Sequence, residues 1–462
     1  MRRALRIVCR KKGIVMGTLK RAVLAAGLVA GGVFGQTLET VERIDVAPVW
    51  AGCPVSFAML THSNRQFLAF YSAERVMTLA QRELNTNAWT FVELPSKFGW
   101  DSHNYVTMAV DGDGYLHVSG NMHCVPLVYF RSEKPLDIRG MTPVHRMTGE
   151  REKRATYPRF MKGPDGALLF TYRDGSSGNG STLWNRYDLA TKTWTRLLAE
   201  PLFDGQGHMN AYPCGPVLGP DGFYHLSWVW RDTPACETCH DISYIRSRDL
   251  IHWENAAGTP VPLPIRLGAD VVVDPVPVKG GLINPGQAIG FDDRNRVVVT
   301  YTKYDAAGNS QLMNARLEDG RWNVVQTSDW AYRWDFSGGG SIIGEIGVGP
   351  VERQNGALAQ SYSHAKLGGG RWRLDPATLK PAGKQENRLK WPKEVGRREH
   401  PMREMGVRSA SDLAADPESG ASCDGFYYRA TWESLPANRD RPQPGGVPPP
   451  AQLRVFKLNV QK

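Results

Sequence analysis

A hairpin closed by a tight polar turn recurs along this chain at intervals of roughly 50 to 75 residues, and a repeat of that length points to a propeller or a solenoid. The clearest copies are built on Asp-Gly turns. One runs from His103 through Asp111-Gly112-Asp113-Gly114 to His123, the next from Tyr157 through Pro164-Asp165-Gly166 to Arg173, and a third turns at Pro220-Asp221-Gly222 and returns as far as Trp230. Each joins an alternating strand to a return strand, the short-range signature of a β-hairpin. Looser copies start at Asn64, turn at Asp292 to Asn295, and turn again at Gln354-Asn355-Gly356. Polar turns followed by Trp89, Trp194, Trp253, Trp322 and Trp372 supply outer-strand candidates, so each period offers about four strands. A last set, Phe426 to Trp432 and Leu453 to Leu458, brackets a Pro-rich loop from Arg441 to Pro450.

No amphipathic helical period stands out against this background of Gly, Pro and short β-branched or aromatic runs. The expected fold is therefore all-β: a seven-bladed β-propeller of four-stranded antiparallel blades, which leaves only short protected edges. Glu42 to Val46 could complete the last blade and close the circle. Six or eight blades stay open, because the stretch 259–280 is irregular.

The first 36 residues read as a leader. Basic residues up to Arg21 are followed by an apolar run from Ala22 to Phe34 and then by small residues before Gln36, the layout of a secretory signal peptide. The run is too short for a membrane span, which needs about 20 residues, and Met16 would make a more ordinary start. The expectation is a signal peptide over 1–36, a single propeller domain over 37–462, and a secreted or periplasmic monomer that does not enter a membrane. The formal net charge of +10 is concentrated in that leader, where eight residues from Arg2 to Arg21 are basic. The remainder carries only about +2, which argues against nucleic acid as a partner. Six cysteines remain beyond the leader, too few and too scattered for a disulfide scaffold.

Four side chains occupy matching places in two successive hairpins. His103 lies eleven residues before Gly114 and His123 nine after it; Tyr157 lies nine before Gly166 and Arg173 seven after it. Residues nearly equidistant from a turn face one another across the ladder, so all four are expected at the hairpin ends far from the turns, on one rim. An arginine fork matches a carboxylate. On a uronic acid it would neutralise that carboxylate and stabilise the enolate-like charge that develops as the C5 proton leaves. A histidine or a tyrosine can take that proton and protonate the departing O4. This is β-elimination, and it requires no metal or organic cofactor.

From about Val49 to Tyr362 the chain resembles the secreted propeller lyases, namely the ulvan lyases and the related rhamnose-glucuronate lyases. The resemblance rests on His103-Asn104, Gly120 to His123, Tyr157-Pro158-Arg159, Tyr172-Arg173-Asp174-Gly175, Asn210-Ala211-Tyr212, Trp228 to Arg231 and His240-Asp241. It implies an active site of two histidines, a tyrosine and an arginine acting on an anionic polysaccharide. Tyr157 would be an acid/base, His103 a second acid/base or a carboxylate contact, and Arg173 with His123 the carboxylate neutralisers. The segment between His123 and Tyr157 is short for that family. Which of Tyr157 and His103 is the base stays open. Arg231, at the end of the third copy's return strand, is expected to bind a neighbouring sugar, with Asn104, Tyr301 and His364 as further substrate contacts.

Cys236-Glu237-Thr238-Cys239-His240 spells a haem-attachment motif, though it sits between strands. Two thiolates and an imidazole, with His208 or Cys214 as a fourth donor, instead suit a structural zinc ion, and the resemblance to propeller ulvan lyases implies a metal of this kind. A Cys236/Cys239 disulfide, or free thiols, are the remaining readings. Competing functions are a propeller glycoside hydrolase, such as a rhamnosidase, and a non-catalytic carbohydrate-binding propeller. A sialidase would need repeated Asp-box turns, and only Ser247 to Trp253 resembles one.

Overall fold

In most blades the second strand is almost completely buried, as in Arg65–Tyr71, Leu116–Gly120, Tyr224–Arg231 and Val297–Tyr304. Such strands are covered on both faces by neighbouring sheets, which explains why they read as continuous apolar runs. The computed structural model describes residues 35–461 apart from Ala269 and Glu418. The expected leader over 1–36 lies outside these residues except for Gly35 and Gln36. Seven antiparallel sheets follow in chain order, each built from an inner strand outwards. Their inner strands are Ala58–His62, Val106–Val110, Ala155–Lys162, Asn210–Leu218, Ala288–Phe291, Ile346–Gln354 and Gly406–Ser411. We number the blades 1 to 7 in that order.

The circle is closed by the chain's two ends. Gln36–Val49 pairs antiparallel with Ala451–Val460 and forms the outer strand of blade 7, over a longer stretch than the Glu42 to Val46 segment read from the sequence. Blade 7 packs on blade 1 through Phe57 stacked on Trp432, with centroids 4.4 Å apart. The irregular stretch 259–280 contributes one short strand, Val272–Asp274, appended to blade 4. Trp372 departs from its expected position, lying on the third strand of blade 6 with Pro381–Lys384 outside it.

Two blades share a polar brace inside this apolar packing. Asp111, in the turn of blade 2, accepts from His117 Nε2 at 3.1 Å, while His117 Nδ1 and the Tyr129 hydroxyl lie 2.7 Å apart. Blade 4 repeats the pattern with Asp221, His225 and Tyr244 at 3.0 and 2.6 Å. Burial pushes both histidines below the usual imidazole range despite their carboxylate partners. They serve as neutral bridges between turn and sheet.

The Asp-Gly turns carry glycine at positive φ, 87° at Gly114, 79° at Gly166 and 77° at Gly222, a conformation that side chains with a Cβ rarely adopt. They mark one end of the propeller. His103, His123, Tyr157 and Arg173 lie at the other.

Candidate active site

The loop before the inner strand of blade 2 is folded around Asp101. The His103 amide donates to Asp101 Oδ1 at 2.9 Å and the Asn104 amide to the Asp101 carbonyl at 3.0 Å. The Asn104 carbonyl in turn accepts from the Tyr71 hydroxyl and from the Asn121 amide. With Val106 paired to Gly120 in the hairpin, this loop and the residues beyond the return strand face each other. The His103 and His123 rings consequently lie 4.4 Å apart.

A short strand, His123–Val125, then leaves blade 2 and pairs with Ala155–Lys162 of blade 3, placing His123 opposite Thr156. This crossing explains how a short connection still unites the two hairpins. In blade 3 Arg173 pairs with Thr156 rather than with Tyr157, because a bulge between Thr156 and Arg159 displaces the tyrosine. Tyr157 sits at φ 58°, a conformation that stores about 1–3 kcal/mol for a residue of this size and recurs at functional sites. The bulge aims its ring between His103, 5.9 Å away, and the Arg173 guanidinium, 4.9 Å from the ring centre. All four expected residues therefore meet in one place.

Their electrostatic states differ. Asp101 Oδ1 accepts from His103 Nδ1 at 2.6 Å, and its other oxygen accepts from His123 Nδ1. Asp440, from the loop between the last two strands of blade 7, lies 3.4 Å from His103 Nδ1. Burial alone would lower the His103 pKa, but the hydrogen bonds to Asp101 and Asp440 outweigh it and bring it up to about 9. Burial would raise the Asp101 pKa, but the hydrogen bonds from His103 and His123 outweigh it and hold the carboxyl well below the usual carboxylate range. Burial pushes the Tyr157 phenol far above its ordinary value, only partly offset by Arg173 and Arg231. Among the described residues its hydroxyl has no hydrogen-bond partner.

The raised His103 value has a consequence for stability. Its contribution is fully present below the unfolded imidazole value of about 6.5 and is lost as pH rises through about 9. The melting temperature should decline across that window, and the decline should be shallower in His103→Gln. Equal slopes in the two proteins would show that His103 is not held as a cation.

Arg173 is buried. Its Nη2 donates to Thr156 Oγ1 at 3.1 Å and to Cys124 Sγ at 3.4 Å, and its Nη1 to the Tyr212 hydroxyl at 3.3 Å. A cavity of about 320 Å³ opens beside the site, lined by Tyr105, Tyr157, Arg159, Trp184 and Tyr212 among others. A larger one, about 570 Å³, lies at the turn end of the inner strands near Leu60, Val110 and Lys162, away from this chemistry.

The other expected substrate contacts do not join this set. Tyr301 is buried, its hydroxyl spent on Asp274, which also binds Lys303, so it supports blade 5. His364 is buried under Trp330 and Tyr332, and its Nδ1 accepts from the Lys366 and Leu367 amides. Arg231 stacks over Tyr212 but directs its donors to the Thr233 and Pro234 carbonyls and to Asn284 Oδ1, so it braces the rim. Asn104 stands beside His103 and is half-buried, its backbone holding the loop.

The residues of the cysteine cluster are spread over different surroundings. Successive strand residues point to opposite faces. Cys239 enters the apolar packing around Tyr212 and Ile242, with its thiol on Asn284 Oδ1 at 3.2 Å. His240 turns the other way, where both ring nitrogens are taken by Asp241 and Asp232 at 2.8 and 3.0 Å. Cys236 packs with Ile283 and Trp330, and His208 is exposed on a turn. These residues do not form a four-donor cage, and both cysteines are free thiols. Among the described residues, the set with three donor atoms mutually within 4.8 Å is Asp101, His103 and His123.

A family model described as "BNR repeat-containing family member" matches residues 65–330. The chain belongs to that family. It is 40% identical over 60 residues to a short-isoform ulvan lyase of Alteromonas sp. (strain LOR), a match spanning 13% of this chain and 11% of that protein. A long-isoform ulvan lyase of Glaciecola sp. (strain KUL10) is 46% identical over 44 residues, 10% of this chain and 4% of that protein. The aligned stretches thus span a small fraction of these relatives. Among solved structures, the polysaccharide lyase Uly1 superposes with a TM-score of 0.59 at 14% identity, covering 91% of this chain and all of that one. An ulvan lyase solved with -[GlcA(1-4)Rha3S]- bound gives 0.57 at 12% identity, covering 89% of this chain and 95% of that one. At such identities the likeness is one of fold.

Proposed function

We propose that this chain is a polysaccharide lyase that cleaves a uronate-containing glycan, of the ulvan or rhamnose-glucuronate type, by β-elimination. The observation that carries the reading is the convergence of His103, His123 and Tyr157 beside the buried Arg173 cation. An imidazolium at His103 and the nearby guanidinium offer positive charge to a uronate carboxylate and to the enolate-like charge that develops beside it. Tyr157, kept protonated by its surroundings, is suited to donate to O4 as the C4–O4 bond breaks. The C5 proton then needs another acceptor. His103 is already charged, whereas His123, with Nδ1–H on Asp101, presents a lone pair at Nε2 when neutral. Loss of the C5 proton to His123 leaves its electron pair to form the C4–C5 double bond. A proton passing from His123 to Tyr157 resets the site.

The ulvan-lyase relatives and the leader-like stretch before the propeller support an exported enzyme acting on an extracellular polymer. Among the described residues no helix is long and apolar enough to cross a membrane.

The deciding experiment is incubation with ulvan and with rhamnose-capped glucuronate polymers while following the ultraviolet absorbance of unsaturated uronate. New chain ends should appear together with that absorbance. New reducing ends without it would establish a hydrolase, and binding without turnover a lectin-like module.

A further inference from the structure

We propose that Asp101 is a positioning residue that fixes the Nδ1–H form of both histidines, and that Asp440, from the far end of the chain, makes them unlike by favouring the cation at His103. The kinetic part rests on the lyase reading; the structural part does not.

A carboxylate that accepts from Nδ1 of both imidazoles fixes the same tautomer in each, leaving both Nε2 atoms on the sides of the rings away from Asp101. Two cations with rings 4.4 Å apart repel one another, and one shared carboxylate compensates only one of them. Asp440 breaks the symmetry. It lies against His103, so His103 faces two carboxylates, whereas His123 faces one oxygen of the Asp101 carboxylate that the two rings share. The other ionisable groups facing His103 are His123 itself and Tyr157, with Arg173 beyond the Tyr157 ring.

Asp440 is held in place with some precision. Its Oδ2 accepts from the Ser341 amide at 2.9 Å and its Oδ1 from the Ser102 amide at 3.4 Å, while the Ser102 and Ser341 hydroxyls also meet. Arg439 donates to the Ser337 and Gly339 carbonyls. Arg439 and Asp440 both have positive φ, 55° and 61°. Gly340 admits this approach: a Cβ there would stand 2.6 Å from the Arg439 carbonyl oxygen, at a φ of 75°. Strain of this sort persists where surrounding contacts over-determine it, and here those contacts join the blade 7 loop to the loop that carries His103.

The test is a titration of the histidine rings by NMR in the whole propeller chain, with signals assigned through His103→Gln and His123→Gln. In Asp440→Asn the His103 midpoint should fall by about one pH unit or more, and in Asp101→Asn it should fall further while His123 loses its preference for Nδ1–H. Turnover of a uronate polymer should drop about tenfold in Asp101→Asn, and the alkaline limb of the pH–rate profile should move to lower pH in Asp440→Asn. An unchanged His103 midpoint in Asp440→Asn overturns the proposal even if Asp101→Asn fails to fold. If the titrations shift as expected while the parent protein turns over no uronate polymer, the lyase reading fails and the charge assignment stands.

Discussion

Tyr157→Phe should lower turnover of the uronate polymer at least about a hundredfold, the range that a lost general acid or base produces. The substitution removes only the phenolic oxygen. The ring still fills the space between His103 and Tyr212 and still lies under the Arg173 guanidinium. Because the hydroxyl has no partner among the described residues, no buried donor is orphaned, and the melting temperature should stay within a few degrees. Phenylalanine also accepts φ 58° no worse than tyrosine does, so the bulge should persist. Substrate binding, read as KM, should change little. Activity near that of the parent, measured as formation of unsaturated ends, would reduce Tyr157 to a packing residue.

The hairpin arithmetic that brought these side chains together was legible because it depends only on local geometry. A turn glycine and an alternating strand fix which residues face each other, and His103 and His123 obey that rule. For Tyr157 and Arg173 the count is off by one, and the bulge turns the miss into a contact. Closure of the propeller was readable in the same way, from the β-character of Glu42 to Val46 near the start of the chain.

What escaped depends on distance in sequence or on which way a strand residue points. Asp101 carries a weak signal, an acidic residue two positions before a histidine. Asp440 has none, since it arrives from a Pro-rich region 337 residues beyond His103. Tyr301 and His364 stand at strand ends like Arg173 does, yet neighbouring aromatic or acidic side chains close over them. The Cys236-to-His240 string has metal-ligand spacing, but strand alternation separates Cys239 from His240.

Arg173→Lys tests the remaining cation. Lysine keeps the positive charge but not the planar fork, and an ammonium cannot span Thr156, Cys124 and Tyr212 while lying flat over the Tyr157 ring. Turnover should fall by about thirtyfold or more. How the loss divides between kcat and KM identifies the role. A guanidinium that grips the uronate carboxylate contributes to binding as well as to the transition state, so its loss should raise KM. One that stands behind Tyr157 stabilises negative charge on the phenol oxygen only as the proton moves, so its loss should lower kcat with KM nearly constant. The buried position of Arg173, with Nη1 and Nη2 already directed to its own chain, favours the second outcome. A variant with parental kcat and KM would remove Arg173 from the chemistry and leave His103 as the cation that faces the substrate.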